Sequence, residues 1–362
     1  MPDEIAKPAP KVRVALLFGG RSGEHAISAA TAAGVMRAID RDKYEVLPIG
    51  ITRDGTWVLT GGDSARWELS ADRLPEVTTD AGTEIRTLSD LGEVDVVFPL
   101  LHGPFGEDGT IQGLLELADV RYVGSGVLAS AVGMDKHYMK IVFAGHGLPI
   151  GPYVAVPPRE WERRQDEVLE QIQRELEFPV FVKPARAGSS LGVRRVDVPS
   201  DLVEAIEEAR FHDPKVLVEQ GIDGREIECA VLGGREGAAP RTSVPGEIVV
   251  DHDAAEFYDF EAKYLSNSQA RTEAPADVPD EVAARVRELA VAAFEAIGAE
   301  GLARVDTFVT PDGEVVLNEI NTMPGFTPIS MYSKMWEASG LSYTALVDEL
   351  IQLALERPTG LR

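Results

Sequence analysis

ARVDTFVTPDGEVVLNEIN, residues 303–321, reads as two strands around a turn. Its centre, Thr310-Pro311-Asp312-Gly313-Glu314, is a hairpin signal, because Asp-Gly suits the tight primed turns that need positive φ. With Asp312 and Gly313 as the two loop residues, Asp306 lies opposite Glu319, Arg304 opposite Asn321, and Phe308 opposite Leu317. The strand period of two then puts Arg304, Asp306, Glu319 and Asn321 on one face. Two carboxylates directly opposite each other repel and raise each other's pKa. A divalent cation relieves that cost. Hard oxygen donors on rigid strands, with phosphate oxygens completing the shell, describe a magnesium site. The competing reading is an ordinary polar hairpin face, and a longer loop would shift the register.

Upstream of this hairpin the pattern is α/β. VRVALLFGG (12–20), YEVLPIGI (44–51) and VDVVFPLLHG (94–103) read as strands, alternating with helices over 28–39 and 109–118. That alternation predicts a parallel sheet flanked by helices, with ligand loops at the carboxyl ends of its strands. The polar stretch 61–90 has no clear period. Residues 134–147 read as one helix. EFPVFVKP (177–184) and KVLVEQ (215–220) read as strands, and GIDG (221–224) as a hinge. Further strands are expected near 225–232, 241–249, 302–309 and 315–320, and helices over 280–297 and 342–356. Breaks near 124 and 222 divide the chain into domains 1–124, 125–222 and 223–362. The Pro-rich residues 1–11 are expected to form a disordered tail.

Three loops add chemistry. AGSSLGV (187–193) follows the strand that ends in Lys183, and its glycines and serines leave backbone N–H groups able to fold over an anion. It is not a Walker loop, for no GxxxxGK[ST] occurs, and a plain surface turn is the alternative. FGGRSGEHAIS (18–28) is a glycine-rich turn into a helix, a place that suits anions. Glu24 within it would oppose a phosphate and suits an ammonium better, unless it serves only the helix dipole. In LLHGPFGEDGTIQG (100–113), His102 sits in a Gly-rich loop at a strand end, as a site residue or a structural one. No HExxH and no GxSxG occurs, so neither a zinc hydrolase nor an α/β-hydrolase is supported.

Composition sets the limits. The chain has 362 residues and a formal net charge of -25, from 35 Lys plus Arg against 60 Asp plus Glu. Such acidity disfavours nucleic acid and anionic membranes, so an anionic substrate needs a local basic pocket or a metal. The one cysteine, Cys229, allows no disulfide within one chain and reads as a buried small hydrophobe. No apolar run reaches the roughly 20 residues that span a bilayer, and residues 1–13 carry no signal-peptide core. A cytoplasmic protein is expected.

Together these stretches resemble the D-alanine–D-alanine ligases of the ATP-grasp superfamily. The resemblance runs from about residue 12 to 350 and is carried by FGGRSGEHAIS, HGPFGEDGTIQG, GSGVLASAVGMDK, FVKPARAGSSLGV, FYDFEAKY and LNEINTMPGFTPISMY. Six motifs in order make it specific; Ser333, where many relatives have proline, is a small departure. The resemblance implies an N-terminal parallel-sheet domain followed by two α+β domains that sandwich ATP. It implies that Lys136 and Lys183 contact the phosphates, that Glu219 and Ile222 lie at the adenine, and that Glu226 holds the ribose. Asn318 and Lys263 join the nucleotide site. Asp306, Glu319 and Asn321 match the ligands of magnesium or manganese, as two ions. Glu24 matches the residue that takes the ammonium of the first D-alanine, and His102 lines the substrate site. Arg304 and the backbone N–H of Gly325 match the oxyanion stabilisers. Ser330 and Met331 match contacts to the second substrate. Ser189 and Ser190 match a loop that closes over the phosphates, with Tyr264 closing onto Ser189, so 185–192 and 250–275 are expected to act as lids. A homodimer acting in peptidoglycan precursor synthesis is implied. The nearest alternatives are a D-alanine–D-lactate ligase and a non-catalytic nucleotide-binding regulator; the second would typically have lost a phosphate lysine or a metal ligand, and none is lost here.

Overall fold

A computed structural model describes residues 10–69, 74–87, 90, 92–188, 190–250 and 270–359. Three sheets follow one another along the chain. The first has the order β4-β3-β2-β1-β5, from β1 (Val12–Gly19), β2 (Tyr44–Ile51), β3 (Trp57–Thr60), β4 (Gly82–Ile85) and β5 (Val96–Pro99). β1 is an interior strand that pairs in parallel with β2 and with the edge strand β5, and Val14 to Phe18 are fully buried. Burial on both faces is why this run is continuously apolar instead of alternating. The expected parallel sheet is thus only one side of it, β2, β1 and β5. β2, β3 and β4 form an antiparallel meander, and β4 comes from the stretch whose period was unreadable.

α1 (His25–Ala38) follows β1, and α2 (Thr110–Leu117) follows β5. The helix read over 134–147 is α4 (Lys136–Gly145), and a further helix, α3 (Val127–Met134), precedes it. Asp135 breaks them. Its backbone is extended, and its side chain accepts from the N–H groups of His137 and Tyr138, capping α4.

The second sheet has the order β6-β9-β7-β8, from β6 (Tyr153–Val156), β7 (Val180–Pro184), β8 (Arg194–Val196) and β9 (Val216–Gln220). α5 (Pro158–Glu175) and α6 (Leu202–His212) supply Trp161, Val168, Ile172 and Ile206 to its core.

The third sheet is built on β10 (Arg225–Leu232), with β11 (Arg241–Thr242), β12 (Gly246–Val250), β13 (Ala270–Glu273), β14 (Leu302–Val309) and β15 (Val315–Asn321). The single strand expected over 241–249 is β11 and β12, separated at Pro245, which has no N–H to continue a ladder. α7 (Asp280–Ala296) covers one face. α3 and α4 also pack there through Ala129, Met139 and Phe143. α8 (Met331–Ala338) and α9 (Tyr343–Glu356) turn back toward the first sheet. Leu346, Leu350 and Tyr332 share one core with Val14, Leu16 and Phe98, so the two ends of the chain are packed together. Cys229 is fully buried in the third sheet, where burial pushes its thiol up to about 12.

The β14–β15 hairpin keeps the expected register on its site side only. Arg304 pairs with Asn321 and Asp306 with Glu319, but Thr307 pairs with Leu317 and Phe308 with Val316. The loop has three residues, closed by the Gly313 N–H to Thr310 carbonyl bond at 2.9 Å and the Thr310 N–H to Glu314 carbonyl bond at 3.0 Å. Pro311 explains it: a two-residue loop would need Pro311 to donate a ladder bond, and it has no N–H. Gly313, at φ 85°, takes the left-handed position after the turn. A bulge at Asn318 then restores the register.

Candidate functional site: a cleft between the three sheets

One cavity of about 970 Å³ is lined by residues of the second and third sheets and by α1 and loops that flank the first. The β14–β15 hairpin forms one wall. Arg304 lies along Asp306, with Nε and Nη2 each 2.7 Å from its two carboxylate oxygens, and Nε is 3.3 Å from Glu228. Asp306 and Glu228 are each 1% exposed and stand opposite each other on β14 and β10. The amide of Asn321 lies 3.0 Å from Asp306 and 3.5 Å from Glu319. Burial alone would raise the Glu319 carboxyl, but Lys136, Lys183 and Arg304 hold it well below the usual range. Burial opposes the charge on Arg304, but Asp306 and Glu228 outweigh it and keep the guanidinium charged.

Cations face this wall from other elements. Lys136, at the first turn of α4, puts its ammonium 3.1 Å from Glu319 and 3.0 Å from the carbonyl of Ala187. Lys183 on β7 bonds Glu219 on β9 at 2.8 Å, and Lys140 on α4 is 3.5 Å from the other Glu219 oxygen. Burial works against Lys136 too, but Glu319 raises its pKa; Lys140 is buried enough that its pKa falls. Glu219 would be raised by burial, yet Lys183 and Lys140 bring it down.

Two glycine-rich loops of the first sheet close the other end. Ser28 accepts from the N–H of Gly19 at 2.8 Å and donates to the carbonyl of Leu100 at 2.6 Å; Ser22 donates to the carbonyl of His102 at 2.6 Å. These hydroxyls tie the loop carrying Glu24 to the one carrying His102. A methyl group on Gly103 would come within 2.6 Å of Glu24, and one on Gly188 within 3.3 Å, so Glu24 faces both His102's loop and the 185–193 loop. His102 Nδ1 is 3.4 Å from Glu107, and Nε2 is 3.1 Å from the Thr31 hydroxyl. Burial lowers the basicity of His102, but Glu107, helped by Glu24 and the carbonyl of Met323, offsets it, so the imidazole is raised. His25 of the same motif is structural: it bonds the carbonyl of Gly20 at 2.7 Å and accepts from the N–H of Val77 at 2.9 Å.

Ser190 holds φ at 57° and Gly192 at 71°. A serine in the left-handed region costs on the order of 1 kcal/mol, and such strain gathers at ligand clamps. Ser330 stands at the N-cap position of α8, but its hydroxyl turns to Thr327, 2.8 Å from the Thr327 hydroxyl, and makes no capping bond to the helix.

Two models of one family together span most of the chain. The model described as "D-ala D-ala ligase N-terminus" matches residues 13–125, and "D-ala D-ala ligase C-terminus" matches 142–352. The chain belongs to the D-alanine–D-alanine ligase family. It is similar to the D-alanine–D-alanine ligase of Pseudarthrobacter chlorophenolicus, with 62% identity over 98% of this chain and 96% of that protein. That of Streptomyces coelicolor is 55% identical over 97% and 95%. Among solved structures, the D-alanine–D-alanine ligase of Coxiella burnetii superposes with a TM-score of 0.81 at 36% identity, covering 96% of this chain and 95% of that one. The VanG D-Ala:D-Ser ligase of Enterococcus faecalis gives 0.80 at 36%, covering 95% and 100%. The α/β architecture, with the cleft between the second and third sheets, is the ATP-grasp fold of this family.

Of the residues expected at the site, Glu24, His102, Lys136, Lys183, Ser190, Glu219, Ile222, Glu226, Arg304, Asp306, Asn318, Glu319, Asn321, Gly325, Ser330 and Met331 all line this one cavity. Ser189, Lys263 and Tyr264 lie outside the described residues, as do residues 1–9 of the expected tail and most of the 250–275 lid. Lys140, Glu107, Glu228, Ser22 and Ser28 were not singled out by sequence. Lys140 and Glu228 had a readable signal: one helical turn past Lys136, and one strand period past Glu226.

Among the described residues, no three His, Cys, Asp or Glu side chains gather closely enough to hold a metal alone. The donor set fits a magnesium nonetheless. Asp306 and Glu319 approach a common amide, and exchanging the amide N and O of Asn321 presents a third oxygen donor between them. Phosphate oxygens would complete such a shell.

Proposed function

We propose that this chain joins two D-alanines into D-alanyl-D-alanine with ATP, through a D-alanyl phosphate, releasing ADP and phosphate. The observation that carries this reading is the pairing, in one cavity, of a carboxylate–arginine wall (Arg304, Asp306, Glu319, Asn321) with two accessible lysines, Lys136 and Lys183. A carboxylate is a poor electrophile and must first be phosphorylated. Glu24 takes the ammonium of the first D-alanine near His102. Lys136 and Lys183 bind the phosphates, Ile222 and the backbone near Glu219 take the adenine, and Glu226 and Asn318 complete the nucleotide site. Asp306, Glu319 and Asn321 would hold one or two magnesium or manganese ions, which supply charge neutralisation on the phosphates when bound.

The carboxylate oxygen of the first D-alanine attacks the γ-phosphorus, and ADP leaves. The amine of the second D-alanine, placed by Ser330 and Met331 at the N-terminus of α8, attacks the acyl carbon. Arg304 and the N–H of Gly325 stabilise the oxyanion, and phosphate departs. Ser189, Ser190, Lys263 and Tyr264 would close the site, since water would hydrolyse the acyl phosphate. We assign the three domains as 1–124, 125–222 and 223–362. We place the enzyme in the cytoplasm as a homodimer serving peptidoglycan precursor synthesis. No helix among the described residues is long and apolar enough to cross a membrane. The test is ADP release with D-alanine, with and without magnesium, alongside chromatography of the product. No ADP release in the presence of both substrates and magnesium would overturn the reading.

A further inference from the structure

Glu219 is a carboxylate with two lysines that differ in exposure. Lys183 and Lys140 bind its two oxygens at 2.8 and 3.5 Å. Both border the cavity beside Lys136, but the side chain of Lys183 is 14% exposed and that of Lys140 only 2%. Lys140 is held from a second side as well. Its ammonium sits 5.6 Å from the centre of the Tyr153 ring, and Tyr153 is the β6 partner of Glu219 across the ladder. The two lysines come from different elements, α4 and β7, so they can part without moving together.

A buried carboxylate left with no cation is strongly disfavoured. If Lys183 were the sole counter-ion of Glu219, turning its ammonium to a phosphate would strand that charge, and the nucleotide would have to overcome the loss. We propose that Lys140 is a positioning residue that acts as the resident counter-ion of Glu219, so that Lys183 can leave Glu219 for the phosphates of the nucleotide. Lys140 itself touches no ligand. It sets how readily Lys183 is released, and its effect falls on nucleotide binding and not on the D-alanine sites. The inference rests on the proposed placement of phosphate at Lys183.

The test compares Lys140→Met, Lys140→Gln and Lys140→Arg with the unaltered enzyme. Steady-state kinetics with varied ATP and varied D-alanine are run beside calorimetric titration with ADP. Lys140→Met should raise KM for ATP and Kd for ADP about tenfold or more, because Lys183 stays bound to Glu219, while KM for D-alanine stays within about twofold. Lys140→Gln, whose neutral amide can still donate to Glu219, should shift ADP binding in the same direction and serves as the folded arm if Lys140→Met does not fold. Lys140→Arg should keep both near the starting values. An unchanged ADP affinity in a folded neutral variant overturns the inference. An equal rise in KM for D-alanine does so as well. If the unaltered enzyme binds ADP but makes no dipeptide, the ligase reading fails while the ADP titrations still decide the role of Lys140.

Discussion

Arg304→Met separates what this guanidinium does for the fold from what it does for the reaction. Arg304 is bound at 2.7 Å by both oxygens of Asp306 and lies 3.3 Å from Glu228. Without it, two carboxylates that are each 1% exposed face each other across β14 and β10 without the guanidinium that now lies between them. Stranding a buried charge costs about 3–5 kcal/mol. The competing outcome is that one carboxyl takes up a proton. Neutralising a group of ordinary pKa near 3.9 costs about 1.36 kcal/mol for each pH unit above it, or roughly 4 kcal/mol at pH 7 and roughly 1.5 kcal/mol at pH 5. Protonation therefore caps the loss, and the cap falls with pH. The sign is fixed by linkage. The folded variant binds one more proton than its unfolded chain, so its stability decreases as pH rises. The unaltered protein behaves in the opposite sense at low pH. Glu319, although burial would raise it, is held down by Lys136, Lys183 and Arg304, and the stability this gives is lost as pH falls below the unfolded value of about 4.3. Urea unfolding of magnesium-free protein at pH 5, 6, 7 and 8 is the assay. Arg304→Met should lose about 3–4 kcal/mol at pH 7 and regain about 1.5–2.7 kcal/mol of it relative to the unaltered protein by pH 5. Adding Glu228→Gln should restore most of the loss at pH 7. A loss below about 1 kcal/mol at pH 7, or one equal at pH 5 and pH 7, refutes the reasoning.

Other expectations can be checked on the same protein. Glu319→Gln should fold, since Lys136 keeps its bond to the carbonyl of Ala187, but turnover should drop about 10²–10³-fold, the scale on which lost transition-state electrostatics is felt; near-normal turnover at limiting magnesium would remove Glu319 from the metal site. Glu107→Gln takes away the largest interaction that opposes burial at His102. The unaltered His102 adds stability that is complete below its unfolded pKa near 6.5 and is lost as pH rises through its higher folded value, so the variant should flatten stability between about pH 6.5 and 8, followed by imidazole NMR titration; an unchanged profile would show that Glu107 does not act on His102. Tyr264→His should shift product from dipeptide toward D-alanyl-D-lactate when D-alanine and D-lactate compete at neutral pH. A phenol is neutral there, whereas a protonated imidazole would repel the incoming ammonium, whose pKa is about 7.7–8.0; an unaltered product ratio would exclude that role.

The sequence disclosed the hairpin that forms the carboxylate–arginine wall of the cavity because its signals are local. Alternation, Asp-Gly and the opposed carboxylates all lie within nineteen residues. It misled at the loop, where Pro311 rules out the two-residue turn that Asp312-Gly313 invites. The error did not reach the site, because the bulge at Asn318 restores the pairing of Asp306 with Glu319. Asp135 was hidden for a related reason: an apolar period that continues across a residue cannot show that its backbone is extended and caps the next helix. The stretch holding β4 was unreadable because only one of its four residues, Ile85, is buried. An edge strand with so little core contact leaves no period in the sequence.

What no one-dimensional reading could provide is which charges meet. Lys136 and Glu319 are far apart in sequence, as are Lys183 and Glu219, yet each pair closes within 3.1 Å across different elements, while Arg304 takes Asp306 from two residues away on its own strand. A strand normally points residues two apart to the same side, so the Arg304–Asp306 pair is the one of the three that periodicity could have suggested. The other two depend on α4 packing against the third sheet while the second sheet presents Lys183 and Glu219 to the same cavity. The consequence is functional. Each cation proposed to meet phosphate or oxyanion already has a carboxylate, so a ligand gains only the difference between its own interaction and the ion pair it loosens. Such differences are small where a second cation stays behind, as Lys140 does for Glu219, and large where none does. The lysines proposed to bind nucleotide would therefore be tuned by the company their carboxylates keep, and changes at Lys140 or Glu228 should alter affinity and turnover without removing any group proposed to touch substrate.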